Sequence, residues 1–178
     1  MTLHNIDPFD LLVRPPHLLR KQTMVLCAGN FQKGNYNAMI IGWGLIGNLW
    51  NKPVFVAPVR PTRYTYGFME KYPDFTVTAF PDGFQDDLTY LGTHSGRDGD
   101  KLSQTKLTPI TALEVQTPTF EQAELSIECR KISWMDMDPN QFLDLVIENQ
   151  YPNKDYHRLY IGEIVSIMGA SKFDSSLH

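Results

Sequence analysis

Residues Asn37 to Pro53 read N-A-M-I-I-G-W-G-L-I-G-N-L-W-N-K-P. The apolar residues Met39, Ile40, Ile41, Leu45 and Ile46 give the run the pattern of a strand turning into a loop, and Gly42, Gly44 and Gly47 interrupt it. Glycine removes packing area from a strand, so it is kept where the chain bulges or where another group must approach the backbone closely. Three glycines around Trp43 therefore admit two readings. One is a surface on which a flat molecule rests; the other is a glycine-rich barrel corner around a core tryptophan.

Upstream, Thr23 to Ala28 (T-M-V-L-C-A) is a short apolar run that predicts a buried strand. The turn residues Gly29, Asn30, Gly34 and Asn35 follow, so Thr23 to Gly44 reads as a hairpin. Before it, Asp7-Pro8 and Pro15-Pro16 discourage helix, and residues up to about Arg20 are expected to be an irregular arm over the surface.

Downstream, Pro53 to Val59 predicts a strand that is an edge or bulged at Pro58, which cannot donate a ladder hydrogen bond. Thr62 is a candidate N-cap for a helix carrying Tyr64, Phe68 and Met69 and closed by Pro73. Phe75 to Phe80 alternates by two, the pattern of a half-buried strand. Short helices are expected at Phe84 to Leu91 and Asp100 to Lys106. Strands are expected at Ile110 to Val115, Thr119 to Gln122 and Ala123 to Met135. Asp138-Pro139 opens a short helix to Leu145, Tyr156 to Met168 is the final strand, and Gly169 to His178 reads as a loose polar tail. Many short strands with few helices predict a mainly β chain, a barrel core with short peripheral helices.

The 178 residues, 42% hydrophobic, suffice for a single globular domain over 1–178, with its core at about 20–168. The net charge of −4 comes with no basic stripe, so nucleic acid is not an expected partner. No apolar run is long enough to span a membrane, and the start, with Asp7 and Asp10, does not read as a secretory signal. Cys27 and Cys129 have no metal-like spacing and are expected to be buried free thiols, which fits a reducing compartment with the cytoplasm as default.

Two further segments carry chemistry. Arg60-Pro61-Thr62-Arg63-Tyr64-Thr65 joins two guanidinium groups and two hydroxyls to the expected start of a helix. Free backbone N–H groups and the helix dipole favour an anion there, and arginine binds phosphate oxygens in a two-pronged way; the other reading is a capped helix whose arginines are solvated. His94-Ser95-Gly96-Arg97-Asp98-Gly99-Asp100-Lys101 can form an anion-binding nest of backbone N–H groups, or be a polar surface turn. Asp98 and Asp100 lack the later ligands of a calcium loop, and His4, His17, His94, His157 and His178 show no zinc spacing, so no metal is expected. There is no G-x-S-x-G elbow and no G-x-G-x-x-G after a strand, which removes support for nucleophilic hydrolysis and for a Rossmann unit.

Taken in order, the Asn37 to Pro53 stretch, V-R-P-T-R-Y-T, Y-L-G-T-H-S-G-R-D-G-D-K and Y-P-N-K-D-Y-H-R-L-Y-I-G-E-I-V resemble the flavin reductase-like family of the FMN-binding split barrel, flavoredoxins included. The resemblance covers roughly residues 20 to 168. It implies a six-stranded Greek-key barrel, a homodimer with FMN near the subunit interface, and electron transfer from NAD(P)H through FMN to free flavin or another acceptor. The alternative is a flavoredoxin-like carrier that passes electrons to a protein partner without turning over NAD(P)H.

Carried over by motif, Met39, Ile40, Ile41, Gly42, Trp43, Gly44 and Leu45 would lie along the isoalloxazine and ribityl chain. Arg60, Thr62, Arg63 and Thr65 would surround the phosphate, and Ser95, Gly96 and Lys101 would approach the pyrimidine edge. Lys101 would tune the reduced flavin, and His157 matches a late histidine that lies near the flavin or nicotinamide in relatives. Relatives often read M-T-I-G-W-G-T. Ile40 and Leu45 here replace both hydroxyl residues, so two side-chain hydrogen bonds to the cofactor are expected to be missing.

Overall fold

The computed structural model describes residues 2–177. The N-terminal arm is more than a surface wrapping. Its β1 (His4–Asn5) pairs with the last strand, and α1 (Pro15–His17) is one turn begun by prolines, whose fixed φ suits the first helical position. Ile6, Leu18 and Leu19 of this arm are core residues.

The run before the first turn becomes β2 (Met24–Asn30), buried along its whole length, and pairs antiparallel with β3 (Asn35–Ile41) as a hairpin. The chain leaves β3 through Gly42-Trp43-Gly44, then forms β4 (Leu45–Leu49) and β5 (Lys52–Val59). Trp50 and Asn51 link these two strands with φ of 54° and 58°, the left-handed pair that a two-residue type I′ hairpin turn requires. The stretch that reads as a strand entering a loop is therefore strand, crossing and hairpin. Without Gly at the turn, the sequence gives little sign of the second strand. The β4 ladder ends at Val56, so at Pro58 β5 is an edge on that side, as proline demands.

Helix α2 (Tyr64–Lys71) starts one residue later than its expected cap. Arg63 occupies the N-cap, and the Thr62 hydroxyl hydrogen-bonds Asp155 instead. The strand β6 (Asp74–Ala79) is buried on both faces. Phe75, Val77 and Ala79 enter the core, while Asp74 and Thr76 are covered by a later loop, through Thr117 N to Asp74 Oδ1 (3.1 Å) and Thr76 Oγ1 to Pro118 O (2.7 Å). Polar alternation here marks an interior face and not solvent; Asp74 and Thr76 find partners there, while the buried Thr78 hydroxyl has none among the described residues. Helix α3 (Gln85–Thr93) packs over a second cluster that includes Val25, Cys27, Phe80, Leu88 and Leu91.

Two of the expected strands shrink to β7 (Pro109–Ile110) and β8 (Thr119–Phe120). Leu113 and Glu114 are held by the Glu128 carboxylate, which accepts both of their backbone N–H groups. The long strands β9 (Leu125–Asp136) and β10 (Arg158–Gly169) follow, separated by short helical turns at Pro139–Gln141 and Leu145–Gln150. The tail is packed, not loose: Phe173 and Asp174 are buried, and Asp174 pairs with His4 at 2.9 Å. His178 lies outside the described residues.

The sheet order is β3-β2-β6-β9-β10-β5-β4, antiparallel throughout. Phe55 of β5 and Phe75 of β6 are apart in this order, yet their rings meet edge to face at 6.5 Å. The sheet has therefore curled until its interior faces touch. Its two ends, β3 and β4, are joined by Gly42–Gly44 and share no ladder, which leaves the seam of a split barrel. The path holds seven strands, one more than the six expected, because β4 is a strand. Cys27 and Cys129 are free and buried. Among the described residues, no helix is long and apolar enough to cross a membrane.

Candidate functional site

The seam opens onto a groove made of two adjoining cavities. The first, about 160 Å³, lies between β3, the start of α2 and the loop after α3; its walls include Asn37, Met39, Thr62, Arg63, Tyr64, Thr65, Ser95, Gly96, Arg97 and Lys101. The second, about 240 Å³, is lined by Met39, Ile40, Ile41, Gly42, Trp43, Pro58, Arg60, Arg63 and His157. Met39 and Arg63 line both.

The first cavity is cationic. Arg63 is the N-cap of α2 and its side chain makes no capping hydrogen bond to the helix start. The positive end of the helix dipole is therefore open toward Tyr64 and Thr65 in the wall. The Arg63 guanidinium forms no ion pair among the described residues; burial and the neighbouring Arg60 both disfavour its charge. Arg97 donates to Thr62 O at 3.2 Å and lies 5.4 Å over the Tyr64 ring. The buried Lys101 ammonium donates to Leu91 O (2.9 Å) and His94 O (3.1 Å), at the C-terminal end of α3. Burial, then Arg63, lowers its pKa to about 8.

The close approach of the loop to β3 explains Gly96. A Cβ there would collide with Asn37 Oδ1 and lie 2.9 Å from Tyr64 Cδ1. Asn37 is in turn fixed by donating Nδ2 to the buried Thr65 hydroxyl at 2.7 Å.

The second cavity is lined mostly by apolar residues and shares the cation Arg63 with the first. Trp43 is 42% exposed, so it is not the core tryptophan of a barrel corner; its ring meets the His157 ring at 5.0 Å. Gly44 does follow the corner reading, because Val56 O (3.0 Å) and the Phe55 ring (3.2 Å) fill the place of a Cβ. His157 is buried and bonded through Nδ1 to the Tyr151 hydroxyl at 2.8 Å. Burial, then Arg60 and Arg63, lower its pKa to about 4 against the opposing pull of Asp155, so the ring is neutral near pH 7.

Arg60 is the residue whose surroundings differ most from expectation. It pairs with Asp155 at 2.8 Å, donates to Gln150 O at 2.8 Å and lies 4.9 Å over the Tyr151 ring. Thr62 donates to the second Asp155 oxygen at 3.2 Å. Two of the four groups expected around a phosphate thus already hold a carboxylate.

Of the expected residues, Thr62, Arg63, Thr65, Ser95, Gly96 and Lys101 share the first cavity, although they were assigned to opposite ends of one ligand. Met39, Ile40, Ile41, Gly42, Trp43, Arg60 and His157 share the second. Gly44 and Leu45 line neither. The Ile40 side chain turns away to α3, its Cδ1 lying 2.5 Å from where a Gly92 Cβ would be. Sequence reasoning missed Asn37, Arg97, Tyr151 and Asp155. All four lie inside the quoted motifs, but nothing local marks Asp155 as a partner of Arg60. No metal-ligating group of three His, Cys, Asp or Glu occurs among the described residues.

A family model described as flavin reductase like domain matches residues 19–177. Among solved structures, flavoredoxin from Methanosarcina acetivorans superposes with a TM-score of 0.64 at 22% identity over 86% of this chain and 76% of that one. An FMN-binding domain of a flavin reductases-like enzyme from Shewanella baltica OS155 gives 0.69 at 17%, over 96% and 78%. An NADH:FAD oxidoreductase from Streptomyces globisporus C-1027 gives 0.65 at 13%, over 86% and 81%. At these identities the likeness speaks for the fold alone.

Proposed function

The chain belongs to the flavin reductase-like domain family, and on that premise we propose that it holds FMN in the groove and passes electrons from NAD(P)H through it to free flavin or another acceptor. The observation that carries the reading is the polarity of the groove. One end gathers Arg63, Arg97 and Lys101 around an uncapped helix start; the other is a flat wall of Trp43, Ile41 and Pro58 beside a neutral His157. That donor set fits a molecule anionic at one end and planar at the other. Arg63, Arg97, Ser95 and Lys101 would hold the phosphate, and Met39 to Trp43 with His157 would hold the ring.

When bound, flavin supplies the hydride and one-electron chemistry. The protein's share is binding, orientation and proton control. Trp43 and Pro58 offer apolar area to a ring and exclude water from that wall. Tyr151 fixes the His157 imidazole, and its low pKa keeps that ring uncharged, so the second cavity adds no cation of its own beyond Arg60 and Arg63. Lys101 acts, on this reading, at the anionic end and not at the pyrimidine edge.

The decisive experiment is anaerobic mixing of the purified, FMN-loaded protein with NADH or NADPH while the flavin absorbance is followed. Fast bleaching is expected of a reductase. A bound flavin that stays oxidised would replace the reductase reading with a carrier that serves a protein partner. Cofactor released by heat should co-migrate with FMN; recovery of FAD would overturn the single compact anion end. We also propose a homodimer in a reducing, cytoplasmic setting. The exposed strand β4, with Leu45, Leu49 and the neighbouring Trp50, supplies the apolar edge for association. Light scattering should return twice the mass of one chain.

A further inference from the structure

Residues 145–157 form a strap between β9 and β10 that ends on His157. Its internal contacts are local: Tyr151 N to Glu148 O (2.9 Å), Lys154 N to Tyr151 O (2.9 Å), the Tyr156 hydroxyl to Glu148 (2.5 Å), and Phe142 stacked on Tyr151 at 6.2 Å. Its outer face is open, with Leu145 81% and Val146 64% exposed. Met137, just past β9, holds one side of the strap, its N–H donating to His157 O (3.0 Å) and its sulfur accepting from the Tyr151 hydroxyl (3.2 Å); on the β5 side the tie is Arg60. One guanidinium arm takes the Asp155 carboxylate, another the Gln150 carbonyl, and the plane covers the Tyr151 ring. Thr62 completes the pair by donating to Asp155.

We propose that Arg60 is a positioning residue, which with Asp155 clamps this strap and so sets Tyr151 and His157 against Trp43, and that it is not a ligand of the anionic group. The geometry gives three reasons. Two of the five guanidinium N–H donors are already taken, and the carboxylate that takes one of them also balances its charge. A phosphate at Arg60 would share the guanidinium with Asp155, whose like charge opposes it. Arg63, three residues on, has no ion-pair partner and faces the open helix start, so it offers the better anion site without any rearrangement. The sequence motif R-P-T-R thus divides its labour: the first arginine builds the wall and the second binds.

The proposal rests on the flavin reading for one of its tests and stands free of it for the other. The first test titrates FMN and riboflavin (the same ring without phosphate) into Arg60→Gln, Asp155→Asn and Arg63→Gln. Arg60→Gln and Asp155→Asn are expected to weaken both flavins by the same factor, on the order of tenfold, and Arg63→Gln to weaken FMN alone. A loss confined to FMN in Arg60→Gln would overturn the proposal.

The second test follows the His157 ring by NMR in the apo-protein. The charged groups facing it are Arg60 and Arg63, which hold its pKa down, and Asp155, which holds it up; Tyr151 is its hydrogen-bond partner. If Asp155 acted only through its charge, Asp155→Asn would lower the His157 midpoint further from about 4. Release of the strap instead exposes the ring to water, and the midpoint is expected to rise by about one unit or more. A fall in Asp155→Asn overturns the clamp. If the wild-type protein bound neither flavin, the functional reading would fail, and the direction of this shift would still judge the clamp. Should Arg60→Gln unfold, Asp155→Asn carries both tests. Arg60→Lys keeps the charge but loses the second arm and should fall between wild type and Arg60→Gln.

Discussion

The two cavities of the groove share two wall residues and differ in almost everything else. In the first, cations stand without carboxylate partners beside an open helix start. In the second, Arg60 is paired with Asp155, the histidine is uncharged, and the one unpaired cation among the described residues is the shared Arg63. The contrast is built by two arginines three residues apart. Arg60 follows the end of β5 and pairs with the strap; Arg63 lies past the proline turn, at the N-cap of α2, and among the described residues makes no ion pair with the strap. Proximity in sequence did not give them one role, because the turn between them aims each at a different part of the barrel.

The largest expected effect tests the cationic end. Arg63→Ala should weaken FMN ten- to hundred-fold, the loss of a charge-assisted hydrogen bond worth about 1.5–3 kcal/mol. Riboflavin affinity and the melting temperature should stay close to wild type. Fluorescence titration of apo-protein measures the first two and a thermal scan the third. Equal losses for FMN and riboflavin would erase the difference between the two ends.

The neutral end makes a prediction about pH. The His157 ring has a folded pKa of about 4 against an ordinary 6.5, so between these values the unfolded chain binds the extra proton. Stability should therefore be level above pH 6.5 and fall as the pH drops from 6.5 toward 4, by on the order of 3 kcal/mol. Urea melts of the apo-protein across this range, compared with His157→Phe, isolate the contribution; in the variant this component of the slope should vanish. A wild-type slope retained in full by the variant would assign it to other groups.

Gly96 is a smaller lever on the first cavity. Gly96→Ala puts a methyl against Asn37 and Tyr64, and the loop must move outward, carrying Ser95 and Arg97 with it. FMN affinity should drop by about tenfold. If affinity is kept, the Asn37 amide gives way and the loop is not held where it binds.

The fold was legible where local chemistry and tertiary place agree. The apolar run of β2, the proline-limited edge of β5 and the long alternation of β9 all follow from side-chain pattern alone. Illegible were the features created by burial from a distance. The polar face of β6 looks solvated until the loop carrying Thr117 and Pro118 covers it. The tail looks loose until Asp174 meets His4. At the site, motifs delivered Arg63, Trp43 and the Ser95 to Lys101 loop to one groove. They could not show that Lys101 faces helix carbonyls, or that Arg60 is engaged by a residue 95 positions away.

The smallest expected effects concern Ile40 and Leu45, the two positions where hydroxyl residues are absent. They stand on opposite sides of the seam, at the end of β3 and the start of β4, so they ask whether the neutral wall ends at the backbone or includes these side chains. Ile40 packs its side chain on Gly92 of α3, which backs the first cavity, and Ile40 itself lines the second. Ile40→Thr removes a packed methyl and places a hydroxyl in that contact, which should lower stability by about 1 kcal/mol and leave FMN affinity unchanged. Leu45 is 65% exposed on β4 and lines neither cavity. Leu45→Thr should alter neither quantity beyond about 0.5 kcal/mol. Both follow from one thermal scan and one titration per variant. A gain in FMN affinity with Ile40→Thr would mean that the hydroxyl reaches the ligand and that α3 does not hold residue 40. The same gain with Leu45→Thr would mean that the ring end reaches across the seam to β4, and the groove would then be wider than its two cavities.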